Sequence, residues 1–134
     1  MKPTRTALVS AAAICVTTCL AGIAWAQQAG FTRVMLQDHD LSIPDRHVVQ
    51  ARAEFQPGIA SGRHTHPGEE IGYVLEGEVE VTIDGKPPLT IKAGETFFVP
   101  AGLIHEGKNI GKTPAKILAT YVVEKGKPVS TPVK

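Results

Sequence analysis

The chain is poor in cysteine, tryptophan and one-sided charge, and each shortage removes a class of function. Its two cysteines, Cys15 and Cys19, and its single tryptophan, Trp25, all lie within the first 26 of 134 residues. Everything after residue 26 therefore has no disulfide to hold it and no free thiol to react. Lys and Arg number 14 against 13 Asp and Glu, a balance that gives no electrostatic reason to expect nucleic acid as a partner. Internal repeats, low-complexity tracts and a helix-turn-helix segment are also missing, and no extended window beyond residue 26 carries capped helical periodicity.

The first 26 residues have the layout of an export signal. Lys2 and Arg5 form a basic start, Ala7 to Ile23 is an apolar run, and Ala24-Trp25-Ala26 is a small-x-small cleavage site. The expectation is a cleavable signal peptide over 1–26, cut near Ala26/Gln27, and a periplasmic or secreted protein with no stable membrane insertion after cleavage. A retained transmembrane anchor is the competing reading of the same run. Removing Lys2 and Arg5 from the 14 basic residues leaves 12 against 13 acidic ones, a net charge of −1. Residues 27–134 then suffice for one domain with one core.

From His47 to Val123 the chain reads as short strands separated by turns. Val49, Ala51, Ala53 and Phe55 alternate with polar neighbours, and Val79, Val81 and Ile83 alternate with Glu78, Glu80, Thr82 and Asp84. Asp84-Gly85 marks a hairpin. Glu70 to Glu76 sets Ile71, Tyr73 and Leu75 on one face; Leu89 to Lys92, Thr96 to Val99, Leu103 to Lys108 and Ala115 to Val123 supply further strands. Phe31 to Leu36 is a candidate strand at the rim, and the tail after Val123 is either loose or covers a strand edge. The predicted fold is all-β, a small antiparallel barrel closed by hairpins.

Within this frame lies HTHPGEE. His64 and His66 are two apart, so on a strand both imidazoles point the same way. After the Pro67-Gly68 turn, Glu69 and Glu70 face opposite sides, and one of them can join the histidines. A lone H-x-H is weak evidence. Its company is stronger: from Gly58 the pattern is G-x5-H-x-H-x3-E-x6-G, and from Gly94 it is G-x5-P-x-G-x2-H-x3-N.

These two segments resemble the paired motifs of the cupin superfamily, across about His47 to Val123, and the whole run is similar to small single-domain bacterial cupins grouped with quercetin dioxygenases. The resemblance implies a double-stranded β-helix, or jelly roll, and assigns His64, His66, Glu70 and His105 as metal ligands, with Glu69 as the outward neighbour. Three imidazoles and one carboxylate suit one divalent first-row metal, with iron or manganese favoured and nickel, copper or zinc also compatible. About two coordination positions would stay open. Asn109 is expected to hold a turn rather than a metal, and His39 and His47 to be ordinary surface or rim residues.

Fold and metal do not select a reaction. The first reading is a metal-dependent dioxygenase acting on a small enol or phenolic substrate, with Glu70 catalytic, either as a fixed ligand or as the carboxylate that takes the substrate's proton. The alternatives are a non-catalytic periplasmic module that binds a metal or a small ligand, and a metal-dependent lyase or isomerase. Tyr73, Leu75, Phe97 and Phe98 are candidates for an apolar wall of the site, with core packing as the plainer expectation. A homodimer is compatible with the family.

Overall fold

Alternating apolar residues between glycine and proline turns produce ten β-strands and, among the described residues, no helix. The computed structural model describes residues 28–134, so the signal peptide expected over 1–26, its cysteines included, lies outside the described residues. The strands are β1 (Phe31–Asp40), β2 (Arg46–Phe55), β3 (His64–Thr65), β4 (Gly68–Glu76) and β5 (Glu78–Ile83), then β6 (Leu89–Lys92), β7 (Thr96–Val99), β8 (His105–Asn109), β9 (Ala115–Glu124) and β10 (Thr131–Pro132). They form two antiparallel five-stranded sheets, ordered β1-β2-β9-β4-β7 and β10-β3-β8-β5-β6. The all-β jelly-roll expectation holds. The expected ring closure does not, because among the described residues no ladder joins the two sheets and each keeps its edge strands.

The core sits between the sheets. Val49, Ala51, Ala53 and Phe55 from β2 and Ala115, Ile117, Ala119, Tyr121 and Val123 from β9 meet Val79, Val81 and Ile83 from β5. Every second residue of these strands is buried, as a half-buried sheet requires. At roughly 1.5–3 kcal/mol for each buried large apolar side chain, this layer supplies the main driving force for folding.

Strand β4 departs from the expected facing. Gly68, Glu70, Gly72 and Val74 point inward, while Ile71, Tyr73 and Leu75 are exposed. The physical reason is the period of two: once Glu70 faces the interior, Ile71, Tyr73 and Leu75 must face out. Phe98, the register partner of Ile71 on β7, is exposed for the same reason, and only Phe97 turns in.

Two inward glycines on β4 are there for room. A Cβ at Gly68 would lie 2.0 Å from the Val122 carbonyl oxygen, and one at Gly72 would lie 2.1 Å from the Phe97 ring. Their missing side chains let β9 and the Phe97 ring close on the strand that carries Glu70.

Asn109 performs the turn-holding role expected of it. Its side chain is fully buried, donates to the carbonyls of Phe55 and Thr113, and accepts from the Gly111 N–H. The tail after β9 is ordered against an edge: β10 pairs with β3, and Val133 N–H donates to the Arg63 carbonyl.

Candidate metal centre

Four ligand-type side chains from both sheets meet between them. His64 on β3 and His105 on β8 are direct register partners in one sheet. Glu70 on β4 comes from the other sheet, where it sits between Val99 and Tyr121. His66 lies on the short link from β3 to β4 that carries the chain from one sheet to the other. The expected quartet is thus assembled in full: one potential ligand atom from each of His64, His66, Glu70 and His105 lies within 4.8 Å of the others. All four residues are buried, with relative exposures of 2–7%.

The backbone determines which ring nitrogen each histidine turns inward. His64 Nδ1 donates to the Gly62 carbonyl at 2.7 Å and His105 Nδ1 to the Leu103 carbonyl at 2.9 Å. His66 Nδ1 donates to the Val129 carbonyl of the C-terminal tail. A carbonyl only accepts, so each Nδ1 carries the proton and each neutral ring presents its Nε2 lone pair. Backbone acceptors of this kind orient imidazoles that bind metal.

The electrostatics of the cluster ask for positive charge. His66 Nε2 and His105 Nε2 lie 3.0 and 3.1 Å from the same Glu70 oxygen, Oε2. With neutral rings these are lone pairs facing a carboxylate, a repulsive arrangement in a dry interior. Either a second proton on a ring or a cation among the four groups makes it attractive. Burial, helped by the neighbouring His105, lowers the His64 pKa to about 3, so this ring stays neutral and able to coordinate at ordinary pH. Burial alone would raise the Glu70 pKa, but the contacts with His105 and His66 outweigh it and hold the carboxyl at about 2. One carboxylate and three imidazoles around a common point suit a divalent transition ion.

The cavity beside the cluster has about 360 Å³ of empty space, counting its open mouth. His64, Glu70 and His105 form one side, and Phe97, Tyr121 and Arg33 are among the residues that complete it. Of the four apolar residues considered for a wall, Phe97 fills that place and also packs in the core. Tyr73, Leu75 and Phe98 do neither, for the reason given by the facing of β4.

Sequence reasoning missed Arg33 and Tyr121. Tyr121 is 1% exposed, its ring centroid is 4.6 Å from that of His66, and its position opposite Glu70 follows from the β4–β9 register. Burial first, and the nearby Glu70 charge second, raise the pKa of its hydroxyl, so the phenol stays protonated. The inward alternation of β9 was a signal for Tyr121; nothing in the candidate rim strand Phe31 to Leu36 singled out Arg33. Glu69 stays clear of the cluster. His39 is exposed, as expected of a surface residue, whereas His47 on β2 departs from that expectation: it pairs with Asp38 at 2.9 Å, its side chain is only 15% exposed and its Nε2 is shielded from solvent.

The cupin domain description matches residues 51–121, more than half of the chain and all four residues of the cluster. The chain belongs to the cupin family. Among curated proteins, this cupin is 46% identical over 76 residues to germin-like protein subfamily 2 member 2 of Arabidopsis thaliana, covering 53% of the chain and 35% of that protein. It is 38% identical over 78 residues to oxalate oxidase 2 of Hordeum vulgare, covering 52% and 35%. The chain therefore spans about a third of the length of these relatives. Among solved structures it resembles an oxalate oxidase in complex with the substrate analogue glycolate, with a TM-score of 0.65 and 30% identity over 81% of this chain and 57% of that one.

Proposed function

We propose that this cupin is a metal-dependent oxidoreductase of the oxidase or dioxygenase type, acting on a small oxygen-rich substrate at the His64, His66, Glu70 and His105 cluster. The observation that carries the reading is the convergence of three Nε2 atoms, each with its tautomer held by a backbone carbonyl, on one buried carboxylate. The likeness to oxalate oxidases supports the choice of oxidation over the other reactions of such a site.

The four side chains would hold one divalent ion, with iron or manganese favoured. When bound, the ion supplies Lewis acidity and a partner for electron exchange with O2. The chain's own contributions are more specific. The Nδ1 contacts prevent the imidazoles from rotating, the two sheets keep bulk water from the cluster, and Glu70 is the base available to a substrate hydroxyl or enol proton. In that role Glu70 Oε2 exchanges one of its imidazole contacts for the substrate's O–H.

Substrate and compartment belong to the same proposal. Enol and phenolic compounds of the quercetin type and small acids such as oxalate are the classes to compare. Export rests on the leader expected over 1–26. A homodimer is supported by the exposed apolar row Ile71, Tyr73, Leu75 and Phe98, since a contiguous apolar face favours association; sedimentation equilibrium of wild type and Phe98→Glu checks it, and a wild-type monomer would overturn it.

The test is oxygen uptake by iron- and manganese-loaded protein across oxalate, glycolate, enol and flavonol substrates. Uptake with at least one class, abolished by Glu70→Gln, is the expected result. Stoichiometric metal with no uptake across the panel would favour a non-catalytic binding module, and turnover without oxygen a lyase or isomerase.

A further inference from the structure

The cavity runs along the strands away from the cluster, and its far end is apolar. Tyr121 is level with Glu70 in the β4–β9 ladder, and His105 is level with His64 and Ile83 in the other sheet. Ile117, which also lines the cavity, lies four residues from Tyr121 on β9, about 13 Å at the usual rise of a strand. In the second sheet Val81 and Gly107 are partners, each about 7 Å along its strand from the level of His105. Ala53 pairs with Ile117, Phe55 is the next inward residue of β2, and the Phe31 ring leans on Phe55 with centroids 4.8 Å apart. Phe97, the register partner of Gly72, stands between the two ends.

The two other polar side chains of the lining are engaged within the protein. The Ser61 hydroxyl donates to the Gly62 carbonyl and accepts from the Gly107 N–H. Arg33 lies against the Phe31 and Tyr121 rings, its guanidinium carbon 5.6 and 5.8 Å from their centroids, and interacts with the Tyr121 hydroxyl. What the far end offers to a ligand is therefore mainly hydrocarbon.

We infer that the substrate is amphipathic, with oxygens at one end that face the His64, His66, Glu70 and His105 cluster and an uncharged apolar body, a single ring or a short branched chain, that fills the end between Val81 and Ile117. The inference rests on the metal-site reading above and adds the part of the substrate that the cluster does not hold. Covering an apolar body there is favourable in proportion to the area removed from water. A second carboxylate in the same place would lose its hydration and find no partner, which apolar walls do not offset. Size is limited as well. A Cβ at Gly72 would lie 2.1 Å from the Phe97 ring, so the bare backbone of β4 seats the ring that borders the cavity. About 360 Å³, with the open mouth included, falls at the low end for ligand sites and suits one ring rather than the three of a flavonol. Metal affinity then resides in β3, β4, β8 and the link that carries His66, and choice of substrate in β2, β5, β7 and β9.

Hydroxamates of two sizes test this on zinc-loaded protein, because zinc has no redox chemistry and keeps the measurement to binding. Acetohydroxamate and benzohydroxamate present the same pair of oxygens to the metal and differ in the body, so the ratio of their calorimetric affinities in one protein reports on the body. The expected ratio in wild type is about tenfold or more in favour of benzohydroxamate. It should fall by about threefold or more in Val81→Thr or Ile117→Thr, which put a hydroxyl into the far wall. A wild-type ratio below that, or a smaller fall in both variants, would overturn the inference. Should neither variant fold, methyl-labelled wild type decides: nuclear Overhauser contacts from the benzohydroxamate ring to the Val81 and Ile117 methyls support the inference, and their absence overturns it. Oxygen uptake by iron- or manganese-loaded protein together with a ratio near one would overturn this inference and leave the oxidase reading, and the expected ratio without any uptake would do the reverse.

Discussion

His64 and His105 are direct partners across the β3–β8 ladder, with ring centroids 4.3 Å apart. One residue comes from each of the two histidine-bearing motifs, so strand pairing itself brings the motifs together. Both Nδ1 protons go to backbone carbonyls two residues earlier in the chain, those of Gly62 and Leu103. The same local turn geometry thus points two Nε2 lone pairs at one site before any ion is present.

This arrangement makes the metal-free protein sensitive to acid. The His64 pKa falls from 6.5 to about 3 on folding, so the unfolded chain takes the proton first; stability is complete above about pH 6.5 and declines as pH falls toward 3. Glu70 acts with the same sign at lower pH, its contribution being present above about 4.5 and lost toward 2. Urea denaturation of metal-free protein should show stability falling between pH 6.5 and 4.5, by up to roughly 1.4 kcal/mol per pH unit from His64 alone. His64→Gln should flatten that slope. A wild-type profile that is flat over this interval would contradict the assignment.

The C-terminal tail is expected to matter for metal affinity although it provides no ligand. Val129 supplies the carbonyl that accepts from His66 Nδ1, Ser130 is buried, and Thr131–Pro132 pairs with β3. Ending the chain after Lys127 removes that acceptor and frees the His66 ring to turn. Competition with a chelator should show metal binding weakened about 10–100-fold, and unchanged affinity would show that the tail is only a covering.

Replacing either inward glycine of β4 should be costly, and unequally so. Gly68→Ala places a Cβ against the Val122 backbone, which cannot move without breaking the β4–β9 ladder, whereas Gly72→Ala meets a phenyl ring that can shift. Losses of about 3 kcal/mol or more for Gly68→Ala and about 1–3 kcal/mol for Gly72→Ala are expected from overpacking. Thermal denaturation checks the order, and equal small losses would mean that the strands separate more easily than this packing allows.

The fold and the clustering of His64, His66, Glu70 and His105 were legible because period-two alternation and fixed spacing report directly on which side chains share a face. Val49 to Phe55 and Val79 to Ile83 face as their alternation implies, and Glu70 rather than Glu69 turns inward. The apolar run around Tyr73 misled for an instructive reason. Hydrophobicity favours core packing of Tyr73 and Leu75, but the buried Glu70 on the same strand dictates the register, and a strand cannot bury both sets. The place of Arg33 beside the cavity was illegible because it depends on an edge strand meeting Tyr121 from a distant strand, a relation that no local pattern encodes. Sheet closure was overestimated because hairpin signals specify neighbours within a sheet and say nothing about its free edges.

The central claim is that His64, His66, Glu70 and His105 hold one divalent ion. Metal content per chain, measured after reloading and dialysis, tests it most directly. Wild type and Glu69→Ala should retain about one ion, while His66→Ala, His105→Ala and Glu70→Ala should each retain little. Near-normal occupancy in His66→Ala and His105→Ala, or equal loss in Glu69→Ala and Glu70→Ala, would contradict it.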